Sequence, residues 1–145
     1  MIAQCTIIPT PASYEETGGE LTFGKQLRIT SGQLSKNNLE FLKNQLSDLF
    51  SIELLEVKKK GTLQFIQNPK RESGYAIEVD KTIQIEYKTD ADAFYAVTSL
   101  LQLIKSNADA HIIDQCKIDD SPQFQWRGLH LDVARHFFTV DRLNV

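Results

Sequence analysis

Two neighbouring segments alternate between large apolar residues and small or polar ones, and they constrain the fold of this chain more than any other feature. Tyr75, Ile77 and Val79 alternate with Ala76 and Glu78, while Ile83, Ile85 and Tyr87 alternate with Gln84 and Glu86. A period of two puts successive side chains on opposite faces of a strand, so each strand buries one face and wets the other. The short Asp80-Lys81 connection predicts a tight hairpin between them. A sheet with one apolar face needs a cover. Two stretches with helical spacing can supply it. Ser35 is placed to cap a helix over residues 36–50, with Leu39, Leu42, Leu46 and Leu49 as its apolar stripe. Asp90 is placed to cap a second helix over residues 91–105, with Phe94, Val97, Leu101 and Ile104 facing inward.

The remaining apolar runs read as shorter strands. They are Cys5 to Pro9, Leu21 to Phe23, Leu27 to Thr30, Glu53 to Val57, Thr62 to Gln67 and Ile112 to Ile118. Pro9, Pro11 and the Gly18-Gly19 pair mark a loop between the first two. The expected architecture is α+β: an antiparallel sheet with two helices packed on one face. The link Asp119 to Gln123, with Pro122 and its polar neighbours, is the best boundary. It divides the chain into a small α+β domain, residues 1–119, and a remainder, residues 120–145.

Composition narrows the function. At 145 residues the chain supports one domain with a core of its own. Its net charge is −3, and Lys58-Lys59-Lys60 is the only basic cluster, so this run reads as a solvated turn and no nucleic-acid partner is expected. No apolar run approaches the roughly 20 residues of a membrane span. Met1-Ile2-Ala3-Gln4-Cys5 lacks the charged start and apolar core of a signal peptide, so secretion or a periplasmic location is expected only if a leader precedes Met1. Cys5 and Cys116 read as two partly buried thiols, and a bridge between them would require the first and last strands to be neighbours. His111 and His130 have no partners at ligand spacing, so neither a metal nor another cofactor is expected.

Beyond the boundary, Gly128 to Val133 reads as a strand with Leu129, Leu131 and Val133 on one face and His130 and Asp132 on the other. Thr139 is placed to cap a helix that runs into the chain's last residues. The stretch Phe124-Gln125-Trp126-Arg127-Gly128-Leu129-His130-Leu131-Asp132-Val133-Ala134-Arg135-His136-Phe137-Phe138 resembles the start of the catalytic domain of family 20 glycoside hydrolases, the β-N-acetylhexosaminidases. The Arg127-Gly128 pair, the Leu131-Asp132 pair and the Arg135-His136-Phe137 end carry it. The resemblance extends upstream through Asp120-Ser121-Pro122-Gln123-Phe124, similar to the family's Asp-x-Pro-x-Phe link, and through the hairpin and second helix of the small domain.

The resemblance implies that residues 120–145 supply the first β-strand of a truncated (β/α)8 barrel, which needs eight strand-helix units and about 250 residues. Trp126, Leu129, Leu131, Phe137 and Phe138 would then lack neighbours. It implies hydrolysis of terminal β-linked N-acetylglucosamine or N-acetylgalactosamine from glycans or chitin oligomers, by a retaining, substrate-assisted mechanism. The family's catalytic Asp-Glu pair lies on a later barrel strand, and no Asp-Glu dipeptide occurs in this chain. The chain therefore holds no catalytic residue by this reading, needs the rest of the barrel as its partner, and is expected to be inactive alone.

Arg127 is the implied substrate contact, gripping outer hydroxyls of the terminal sugar. A structural arginine paired with Asp120 or another carboxylate is the competing reading. Asp132 and Arg135 are placed as an ion pair behind the substrate contact, and His136 and Trp126 as packing residues. For the small domain two alternatives stand beside each other: a brace for the barrel, or a non-catalytic carbohydrate-binding or interaction module.

Overall fold

The computed structural model describes residues 6–107, 110–124 and Gly128. The elements follow in the order β1 (Ser13–Phe23), β2 (Gln26–Thr30), α1 (Lys36–Phe50), β3 (Glu53–Glu56), β4 (Leu63–Gln67), β5 (Tyr75–Val79), β6 (Ile83–Tyr87), α2 (Asp90–Leu103), β7 (Lys105–Ser106) and β8 (His111–Asp120). One sheet runs β1-β8-β5-β6-β4-β2-β3, with β7 also on β8. The alternating segments form the expected hairpin, β5 antiparallel to β6 with Tyr75 opposite Tyr87 and Val79 opposite Ile83. Their six large apolar side chains are all buried. No helix among the described residues is long and apolar enough to cross a membrane.

The sheet is mixed, which corrects the expected antiparallel order. β5, β8, β1 and β7 pair antiparallel, but β2 runs parallel to β3 and to β4, and β4 parallel to β6. The cause is the crossover: a helix between two strands carries the chain back to its starting end, so β2, α1 and β3 form a parallel unit. Strand periodicity shows that a face is buried and says nothing of the neighbour's direction.

The first strand also departs from expectation. Gly18 and Gly19 do not mark a loop; they lie inside β1, where the pairing with β8 shifts register between Glu16 and Glu20. Both glycines have positive φ, +82° and +103°, which such a bulge uses and a β-branched residue resists. The expected strand at Cys5 to Pro9 is not one: Thr6 to Pro9 has no ladder, although Ile7 is buried in the core. Cys5 lies outside the described residues. Cys116 is buried on β8.

Ser35 caps α1 as expected, its Oγ accepting from the Asn38 N–H at 3.3 Å. Leu42 and Leu46 are fully buried and Leu39 half-buried, but Leu49 is 60% exposed and not part of the core. The last turn closes through Phe50, whose ring meets His111 edge-on. On α2 the cap is Thr89, not Asp90. Thr89 accepts from the Asp92 N–H, and the Asp92 carboxylate accepts from the Thr89 N–H at 2.9 Å, a reciprocal box. The buried face is Ala93, Ala96, Val97, Leu100 and Leu103, so the expected stripe holds at Val97 and at Ile104 just past the end, while Phe94 turns outward. Alanines let the helix lie close over β5 and β6; Phe94 packs instead on Phe41 of α1, with ring centres 5.0 Å apart.

Candidate functional site

Arg127, Asp132 and Arg135 lie outside the described residues, as do Trp126, His130 and His136. His111 is buried, hydrogen-bonded to Ser106 Oγ at 2.9 Å and packed between Phe23 and Phe50, a packing histidine. Among the described residues no group of three or more His, Cys, Asp or Glu side chains is placed to hold a metal.

The chemistry-bearing groups gather where β8 ends. Asp119 and Asp120 are its last two residues, and successive strand residues point to opposite faces. On the helix side, Asp120 Oδ1 accepts from the Ala12 N–H at 3.0 Å and Oδ2 from the Tyr75 hydroxyl at 3.1 Å. That hydroxyl also lies 2.6 Å from Ser99 Oγ on α2. A phenol has one proton, so when Tyr75 donates to Asp120, Ser99 donates to Tyr75.

On the other side, Arg71 Nη2 donates to Asp119 Oδ2 at 2.9 Å and Nη1 to Glu86 Oε1 at 3.5 Å. Only 15% of the Arg71 side chain is exposed. Burial pulls its pKa down, but the hydrogen bonds and charges of Asp119 and then Glu86 push it further up, so the net shift is upward. Backbone geometry tightens the same spot. Gly74 has φ +67°, and a Cβ there would strike the Asp120 carbonyl oxygen.

Above Asp120 opens a groove of about 320 Å³. Its walls include Ile8 and Pro9, Tyr95 and Gln102 of α2, and Pro122 and Phe124 of the departing chain. Gln102 fastens the far wall, its Oε1 accepting from the Ile8 N–H at 2.9 Å and its Nε2 donating to the Ile8 carbonyl at 3.2 Å. Ile8 is 80% and Phe124 69% exposed. Rings continue from the groove across the helix layer: Tyr95 touches Phe94, and Phe94 touches Phe41. The mouth is thus apolar, over a floor of hydrogen-bonded oxygens.

This arrangement does not suit glycoside chemistry. Hydrolysis with two carboxylates needs both to flank one bond from the same cavity. Asp119 and Asp120 face apart, and both are engaged by protein donors. What the geometry can do is anchor a strand end and offer an apolar surface beside it. Asp120 stands in the sequence as part of the Asp-x-Pro-x-Phe link, but its partners Tyr75, Ser99 and the Ala12 amide were not legible there. Ser99 offers the one signal: a serine at a core-facing position of α2 needs a polar partner.

Residues 4–121 match the family model for glycosyl hydrolase family 20, domain 2. The chain is 28% identical over 144 residues to a β-hexosaminidase of Vibrio furnissii, covering 97% of this chain and 23% of that protein. It is 30% identical over 136 residues to a β-hexosaminidase of Vibrio vulnificus, covering 93% of this chain and 16% of that one. In structure it is similar to the family 20 exo-β-N-acetylglucosaminidase of Vibrio harveyi, solved with N-acetylglucosamine, with a TM-score of 0.85 at 30% identity over 94% of this chain and 22% of that chain. The chain thus spans less than a quarter of the length of these relatives.

Proposed function

The chain belongs to glycosyl hydrolase family 20 through its domain 2, and from that premise we propose that it is the N-terminal part of a β-N-acetylhexosaminidase whose α+β unit braces the catalytic barrel. The supporting observation is the coincidence, at one place, of an anchored strand end, an apolar groove and the start of the segment that resembles a first barrel strand. The carboxylates there are turned to internal donors, as a brace requires, rather than toward a ligand. A carbohydrate-binding module is the weaker reading, because Tyr75 and Tyr87 are buried and Tyr95, although it walls the groove, is half-buried against the core.

The proposed reaction releases terminal β-linked N-acetylglucosamine or N-acetylgalactosamine from the non-reducing end with retention. The carbonyl oxygen of the substrate's 2-acetamido group attacks the anomeric carbon while a glutamate protonates the leaving oxygen. A neighbouring aspartate orients the acetamido group and stabilises the oxazolinium ion, which water then opens. Both carboxylates belong to later barrel strands, so this chain alone is inactive. Arg127 grips adjacent hydroxyls of the terminal sugar through the fixed fork of its guanidinium. Asp132 and Arg135 hold the end of that strand in place.

The test is the full-length protein acting on an aryl N-acetyl-β-glucosaminide. Arg127→Ala is expected to lower kcat/KM by about tenfold to a hundredfold, the range for losing hydrogen bonds to a charged group. Wild-type kcat/KM in Arg127→Ala would assign the arginine to structure alone.

A further inference from the structure

The last residue of β8 is restrained from every side that the fold offers. Its backbone pairs with Tyr75 of β5, and its carbonyl leaves no room for a side chain at position 74. Its two carboxylate oxygens each accept one hydrogen bond, from the Ala12 N–H and the Tyr75 hydroxyl, and that hydroxyl is tied through Ser99 to α2. The preceding residue, Asp119, is gripped on the opposite face by Arg71. Pro122 then fixes a backbone angle of the departing chain. A hinge is a place with few contacts that absorbs rotation. This strand end has the opposite construction.

We propose that Asp120 is a positioning residue, whose carboxylate clamps the end of β8 and so fixes where the chain that carries Arg127 leaves the sheet. The inference rests on the reading that Arg127 contacts the sugar. A grip on two hydroxyls fails when its origin shifts by about 1 Å, so the arginine needs a rigid origin, and the α+β unit supplies one. The chemistry asks for a carboxylate specifically. Two donors converge on the side chain, and only an ionised acid offers two acceptor oxygens with no proton of its own. An asparagine would present its NH₂ group to one of those donors.

The test compares Asp120→Ala, Asp120→Asn and Tyr75→Phe in the full-length protein. Amide exchange is expected to quicken about tenfold or more at Ala12, Tyr75, Asp119 and Asp120, the bonded amides of this strand end, in Asp120→Ala, and less in the other two, each of which keeps one of the two bonds. Amides of β2, β4 and β6 are expected to keep their wild-type rates. Wild-type exchange at the four amides, or an equal rise across the whole sheet, would overturn the clamp. If Asp120→Ala does not fold, the two milder variants decide by the same readout.

Kinetics separates this proposal from the glycosidase reading. In an active enzyme Asp120→Ala is expected to raise KM for the aryl N-acetyl-β-glucosaminide about tenfold while kcat changes less, with Asp120→Asn between. Local exchange effects in a protein that hydrolyses nothing would leave the clamp standing and remove the glycosidase reading. Hydrolysis with unchanged exchange and unchanged KM would do the reverse.

Discussion

Single residues carry two consequences that follow from their surroundings alone. Gly74 combines φ +67° with a neighbour that leaves no space for a Cβ. Gly74→Ala is expected to cost about 2 kcal/mol in urea unfolding, from strain and steric conflict together; a loss below about 0.5 kcal/mol would show that the strand end can yield. Tyr87 is the converse case. Its hydroxyl is buried without a hydrogen-bond partner among the described residues, and burial, aided by the charge of Asp90, raises its pKa above the ordinary tyrosine value. Tyr87→Phe removes an uncompensated polar group, so its unfolding free energy in urea is expected to stay level or rise, by up to about 1 kcal/mol; clear destabilisation would reveal a partner for the hydroxyl. Neither effect was legible in the sequence. Tyr87 reads there only as the end of an apolar face, which it is, and a clash between Gly74 and a residue so distant along the chain leaves no local mark.

Among the elements, what the sequence encodes locally was readable and what it encodes between elements was not. The hairpin of β5 and β6 and the start of α1 were placed from periodicity and capping chemistry. The start of α2 was misplaced by one residue because Asp90 is itself a good cap; the reciprocal Thr89–Asp92 pair outweighs it by satisfying two N–H groups at once. Thr89→Ala is therefore expected to cost about 1 kcal/mol in thermal or urea unfolding, and no measurable loss would put the functional cap back at Asp90. The parallel pairings of β2, β3, β4 and β6 were missed because strand direction depends on crossovers. The Gly18-Gly19 pair misled for a related reason: the same freedom of φ serves a loop or a bulge, and only the partner strand decides.

For the whole molecule, one face of the sheet is covered by α1 and α2, and the rings of Phe41, Phe94 and Tyr95 lead from that helix layer into the groove from which the chain departs. Charge, membrane and metal arguments narrowed the function, but only the residues from Phe124 onward pointed to a reaction. The described part of the molecule explains why. The two carboxylates at the end of β8 are held by protein donors, and the apolar groove beside them suits a brace. The proposed role is that of a unit bracing an enzyme whose nucleophile is the substrate's own acetamido group. The most direct test is the rate of the full-length protein on an aryl N-acetyl-β-glucosaminide against the matching aryl β-glucoside, which lacks that group. Loss of an intramolecular nucleophile should cost at least about a thousandfold in kcat/KM. Comparable rates on the two substrates, or hydrolysis of neither, would overturn the acetamido-assisted reaction.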